Sequence, residues 1–100
     1  MEFKIPKKYN VGGQQITVMS VESDGGDYGN LNPVKGIIRI CNNIEDSPQS
    51  ESSKLNTFFH ELTHSILRTM GEYELNGNEK FVNCFAGFLT EAITTMQGKL

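Results

Sequence analysis

The spacing of apolar and polar positions changes near residue 50, dividing the chain into a strand-forming half and a helix-forming half. Residues 15–23 set Ile16, Val18 and Ser20 against Thr17, Met19 and Val21, a period of two rich in β-branched side chains. That pattern predicts a strand partly covered on both faces. Gly12-Gly13 before it and Asp24-Gly25-Gly26-Asp27 after it are turn chemistry. Residues 28–31 predict a short strand ended by a turn at Asn32-Pro33, and residues 36–41 predict the next strand. The expected result is a small antiparallel or mixed sheet of about three strands. Residues 42–53, polar and carrying Pro48 and four serines, predict a solvated connection.

Beyond it the period becomes helical. Leu55, Phe58, Phe59, Leu62, Ile66 and Met70 recur at three- and four-residue steps and mark one apolar face. Ser50, Ser52 or Ser53 can cap this helix, Glu51 suits its first turn, and Gly71 supplies the stop. Asn78 caps a second helix running towards Gln97, whose expected buried stripe is Phe81, Phe85, Phe88, Leu89, Ala92, Ile93 and Met96. Strands followed by two helices imply an α+β fold, with the helices covering one face of the sheet.

Composition narrows the possibilities. One hundred residues make a single domain, 1–100, too short for barrels or doubly wound dinucleotide folds of about 200 residues or more. Hydrophobic residues at 37 % suit a globular chain rather than a disordered one. The net charge is −3 and the longest basic run is Lys7-Lys8, which argues against a nucleic-acid partner. The first residues lack the apolar core of a signal peptide, and no stretch approaches the roughly 18 apolar residues of a membrane span. The expectation is a cytoplasmic protein without a membrane partner, with Cys41 and Cys84 reduced. Its oligomeric state is open.

The first helix contains His60-Glu61-Leu62-Thr63-His64, and these are the only two histidines of the chain. A shuffled chain of this composition would show such a pattern roughly three times in a thousand. Residues i and i+4 lie about 40° apart on one helical face, so both imidazoles can reach one metal ion. Glu61 is turned about 100° from His60, placing its carboxylate where it can meet a water beside the metal without ligating it. Catalytic zinc takes three protein ligands, and with no third histidine the remaining candidates are carboxylates or the cysteines. Glu79 is preferred because it opens the second helix, which the turn over residues 71–77 can fold back beside the first. Glu72 and Glu74 stand in reserve. Glu79, Asn83, Ala86 and Thr90 share a helix face opposite Phe81, Phe85, Phe88 and Leu89, so Asn83 is the polar residue one turn beyond the ligand.

The pair of segments His60-Glu61-Leu62-Thr63-His64 and Glu79-Lys80-Phe81-Val82-Asn83, fifteen residues apart, resembles the gluzincin pattern of HExxH zinc metallopeptidases. Residues 79–86 are also similar to the helix following the active site in ImmA/IrrE-like metallopeptidases of phage and mobile elements. The likeness covers residues 58–89, and it looks most like the minimal gluzincins. It implies a zincin-like fold and Zn2+ held by His60, His64 and Glu79. It further implies Glu61 as general base and a sheet edge that holds an extended peptide or protein substrate. Asn83 departs from the Asp that the family more often carries there.

The expected function is peptide-bond hydrolysis by zinc-activated water, with Glu61 moving the proton. The alternative is a weakly active or inactive zincin-like module that binds metal and a partner. A metal-dependent hydrolase of non-peptide substrates is a third reading. Tyr28 and Tyr73 are candidate donors to the developing oxyanion, and strand 36–41 is the candidate substrate edge. Phe58, Phe59, Phe81, Phe85 and Phe88 are expected in the core.

Overall fold

Lys8–Val11 (β1) turns back through Gly12 and Gly13 into Gln14–Val21 (β2), the first hairpin of the computed structural model, which describes residues 2–100. Gly29–Asn32 (β3) and Ile37–Cys41 (β4) complete a mixed four-stranded sheet in the order β1-β2-β4-β3. The β2–β4 pairing is parallel, from Thr17 opposite Ile37 to Val21 opposite Cys41, and the other two are antiparallel. The fold is α+β, as the pattern predicts, but with four strands where about three are expected. The extra strand, β1, is Lys-Tyr-Asn-Val, a regular alternation only four residues long.

Placing β4 inside the sheet corrects the expectation that strand 36–41 offers an edge. Its backbone is paired on both sides, and the sheet edges are β1 and β3. The expected solvated connection over residues 42–53 is also corrected. It holds a small hairpin of Asn43–Ile44 (β5) and Ser47–Pro48 (β6), followed by the buried Gln49. The Gln49 amide donates to the carbonyls of Cys41 (2.5 Å) and Tyr28 (3.2 Å). Its oxygen accepts from the hydroxyls of Ser53 (2.7 Å) and Thr57 (3.0 Å). One buried amide thus joins the end of β4, the approach to β3 and the first turns of the long helix, with every polar group partnered.

That helix, Glu51–Met70 (α1), begins at Ser50, whose side chain accepts from the Ser53 N–H, and ends at Gly71 with φ 79°. The Gly71 N–H bonds the Arg68 carbonyl and the Glu72 N–H that of Leu67, a left-handed stop of the kind glycine favours. Burial around α1 is not the single stripe expected. Thr57, Phe58, Phe59, Glu61, Thr63, Ser65 and Leu67 are buried, Leu62 and Ile66 are half-buried, and Met70 is exposed. The sheet covers one side of α1 and a second long helix another, so polar side chains are enclosed as well. The hydroxyls among them are hydrogen-bonded. Thr63 donates to the Phe59 carbonyl, and the Ser65 hydroxyl bonds the Tyr9 hydroxyl of β1.

A short helix, Tyr73–Asn76 (α2), bridges to Glu79–Thr95 (α3), which Asn78 caps by accepting from the Phe81 N–H at 3.1 Å. The core joins Ile16, Ile38 and Ile40 of the sheet to Phe58 and Phe59 of α1 and Ala86 of α3. Phe3 closes over it, its ring 5.2 Å from that of Phe59. Of the stripe expected on α3, Leu89 and Ile93 pack against this core and the aromatics do not. Val82 and Ala86 are the buried residues of α3, whereas Phe81 is half-buried and Phe85 and Phe88 are 46 % and 72 % exposed. The small side chains let α3 approach α1 closely. They also turn Glu79, which shares their side of the helix, towards the histidines.

Among the described residues, no helix is long and apolar enough to cross a membrane. Cys41 is buried, Cys84 is exposed, and both are free thiols.

Candidate metal centre

Two adjacent turns of α1 place His60 and His64 in the gap between the sheet and α3, with ring centroids 4.9 Å apart. Glu79, in the first turn of α3, reaches both. Its Oε1 lies 3.4 Å from His64 Nε2 and its Oε2 lies 3.6 Å from His60 Nε2. One donor atom from each of the three falls within 4.8 Å of the others. Two ligands on tetrahedral zinc at bonds of about 2.05 Å stand about 3.3 Å apart. The carboxylate–imidazole separations therefore match those of ligands sharing one ion. His60, His64 and Glu79 form a group that could hold a metal ion, and it is the only such group among the described residues. Glu72 and Glu74, the reserve ligands, are outside it.

One histidine has an amide partner in hydrogen-bond contact, and Asn83, one turn along α3 from Glu79, lines the cleft beside the other, His60. Asn76 Oδ1 lies 2.6 Å from His64 Nδ1, leaving Nε2 directed at Glu79. An acceptor on one ring nitrogen holds the proton there and frees the other as a ligand. Asn76 was not foreseen. It sits in Leu75-Asn76-Gly77-Asn78, which reads as a turn with a helix cap, and no periodicity connects it to a histidine twelve residues away.

Electrostatics separates the roles of these groups. Burial, followed by the proximity of His64, lowers the pKa of His60 below its usual value, which keeps it neutral and able to ligate. Glu61 is not one of the ligand set and is 9 % exposed. Burial pushes its carboxyl up to about 7, with Glu79 and Asp27 adding to the rise and His64 opposing it. A carboxylate held near neutrality is matched to taking up and releasing a proton.

A cleft of about 440 Å³ opens beside His60 and Glu61, within the usual range of ligand sites. Ser53, Asn56 and Thr57 of α1 form one wall, Asn83 and Ala86 of α3 another, and Tyr28 and Gly29 the third. Gly29 is required for the approach of β3 to α1. A Cβ there would stand 2.5 Å from the Arg39 carbonyl oxygen and 2.6 Å from the Thr57 methyl. Of the two tyrosines considered as donors, Tyr28 lines this cleft. Tyr73 lies on α2, largely exposed, and does not line it. No protein-family model, curated protein or solved structure matches the chain.

Proposed function

We propose that this protein is a zinc-dependent metallopeptidase in which His60, His64 and Glu79 hold the ion and Glu61 is the general base. The observation that carries this reading is the spacing of the Glu79 oxygens from the two Nε2 atoms, 3.4 and 3.6 Å, with Glu61 buried beside them but outside the set. Three protein ligands leave a coordination position open, as catalytic sites do, whereas structural zinc sites are closed by four. Zinc in this position supplies Lewis acidity, lowering the pKa of water towards about 7 and polarising a carbonyl.

The residues of the chain supply the rest. Glu61 accepts a proton from the attacking water and delivers it to the leaving amine, restoring itself in the turnover. Asn76 holds the His64 imidazole in the ligating tautomer. Strand β3 has β4 on one side only, and Tyr28 and Gly29, at its start, line the cleft. An extended peptide laid along that free edge would bring its backbone to Glu61. Tyr28, facing the cleft, is the donor proposed for the oxyanion.

Metal analysis tests the ligand set. The purified protein should carry about one zinc per chain, lost in His60→Ala, His64→Ala and Glu79→Ala. Wild-type zinc in all three variants overturns the site. Glu61→Gln should retain zinc and lose peptide hydrolysis by several orders of magnitude. If the wild type cleaves no member of a peptide library while holding zinc, the non-catalytic metal-binding module is the better account.

A further inference from the structure

The outer face of α3 has no partner among the described residues. Phe81 and Phe85 stack with ring centroids 5.7 Å apart, and Phe85 and Phe88 are exposed. With Ala92, also exposed, these residues follow at steps of four, three and four, the spacing of a helix-pairing seam over two heptads. Isolated exposed apolar side chains need no explanation, but a contiguous aromatic stripe does.

We propose that this face pairs antiparallel with the same face of a second copy of the chain. In that orientation a seam residue meets the partner residue at the mirrored position, so Phe85 faces Phe88 and Phe81 faces Ala92. The stripe is thereby self-complementary in size: each large ring at its end meets a small side chain. It is self-complementary in charge as well. Lys80 and Glu91 lie on the same flank of the stripe, within about 20° of each other around the helix. Antiparallel pairing brings matching flanks together, so Lys80 of each copy comes within about 3 Å along the axis of Glu91 of the other, twice per dimer.

Two partly exposed phenylalanines and a smaller part of a third bury roughly 200–300 Å² per copy, about a third of the share of a standard stable interface. The dimer is therefore a weak one that dissociates on dilution. Its interface faces away from Glu79 and the histidines, leaving the cleft open, and the pairing does not depend on the metallopeptidase reading.

Analytical ultracentrifugation across a dilution series tests the pairing. Wild type should shift from dimer to monomer on dilution, and Phe88→Glu should be monomeric throughout with an unchanged circular dichroism spectrum. Lys80→Glu and Glu91→Lys should each weaken association severalfold, and the double exchange should restore it. That recovery distinguishes antiparallel self-pairing from non-specific stickiness. A monomer at every concentration overturns the proposal and assigns the stripe to a different partner. A dimer indifferent to Phe88→Glu or to the charge exchange overturns it equally.

Discussion

Helices α1 and α3 lie side by side, yet their relation to composition is reversed. Helix α1 carries His60, Glu61 and His64 of the site and is enclosed along most of its length, with Glu61, Thr63 and Ser65 buried. Helix α3 is the more aromatic, with three of the six phenylalanines, but only Val82 and Ala86 are fully covered. The difference shows that burial follows from what surrounds a helix rather than from how apolar it is. Helix α1 has the sheet on one side and α3 on another, so even a glutamate is enclosed. Helix α3 has one such neighbour and turns its small side chains to it, leaving its aromatics outside.

Core truncations should make this asymmetry largest. Phe59→Ala, in α1, removes a ring that is 1 % exposed and should lower unfolding free energy by about 3–5 kcal/mol. Phe88→Ala, an equal deletion from α3, should change it by no more than about 0.5 kcal/mol. Urea denaturation at a concentration where the chain is monomeric measures both. Comparable losses would mean that α3 packs through its aromatic face.

Burial of an acid inside α1 has its own signature. The folded pKa of Glu61 is raised from 4.5 to about 7. Its contribution to stability is thus fully present below pH 4.5 and is lost as pH rises through about 7. Gln imitates the protonated form. Metal-free Glu61→Gln should match the wild type at pH 4.5 and exceed it by up to about 3 kcal/mol above pH 7. His60, with its lowered pKa, acts in the opposite sense as pH falls, but it is common to both proteins and drops out of the difference. A difference that does not grow with pH would show Glu61 to be solvated. An added divalent cation should shrink the gap by stabilising the carboxylate.

The smallest effect tests the link between the two helices. Asn76→Ala removes the acceptor on His64 Nδ1 and should weaken zinc binding about 10- to 100-fold while leaving the fold intact. Asn83→Ala, which removes an amide that lines the cleft beside His60, should weaken it less. A chelator competition titration reads both. Unchanged affinity in both variants would leave the histidines positioned by helix packing alone.

What could be read from the chain was local. Ser50, Gly71 and Asn78 act on backbone groups within a few residues of themselves, and each caps the helix end where it was expected. The pairing of His60 with His64 follows from helical pitch alone. Glu79 could be ranked above Glu72 and Glu74 only by supposing that α3 folds back on α1, which the separations of 3.4 and 3.6 Å now bear out as geometry. Gln49 and Asn76 were invisible because each acts on groups remote in sequence. Strand β1 alternates regularly but over only four residues, too few to stand out until it pairs with β2.

The sequence by itself determined which residues share a face: Glu79, Asn83 and Ala86 on one side of α3, and the aromatics on the other. Periodicity states that much because helical geometry is a property of the local chain. Only the tertiary structure decided which face is covered, because that depends on how closely two helices approach. Val82 and Ala86 permit a closeness that phenylalanine would prevent, and the same contact carries the Glu79 carboxylate to the two imidazoles.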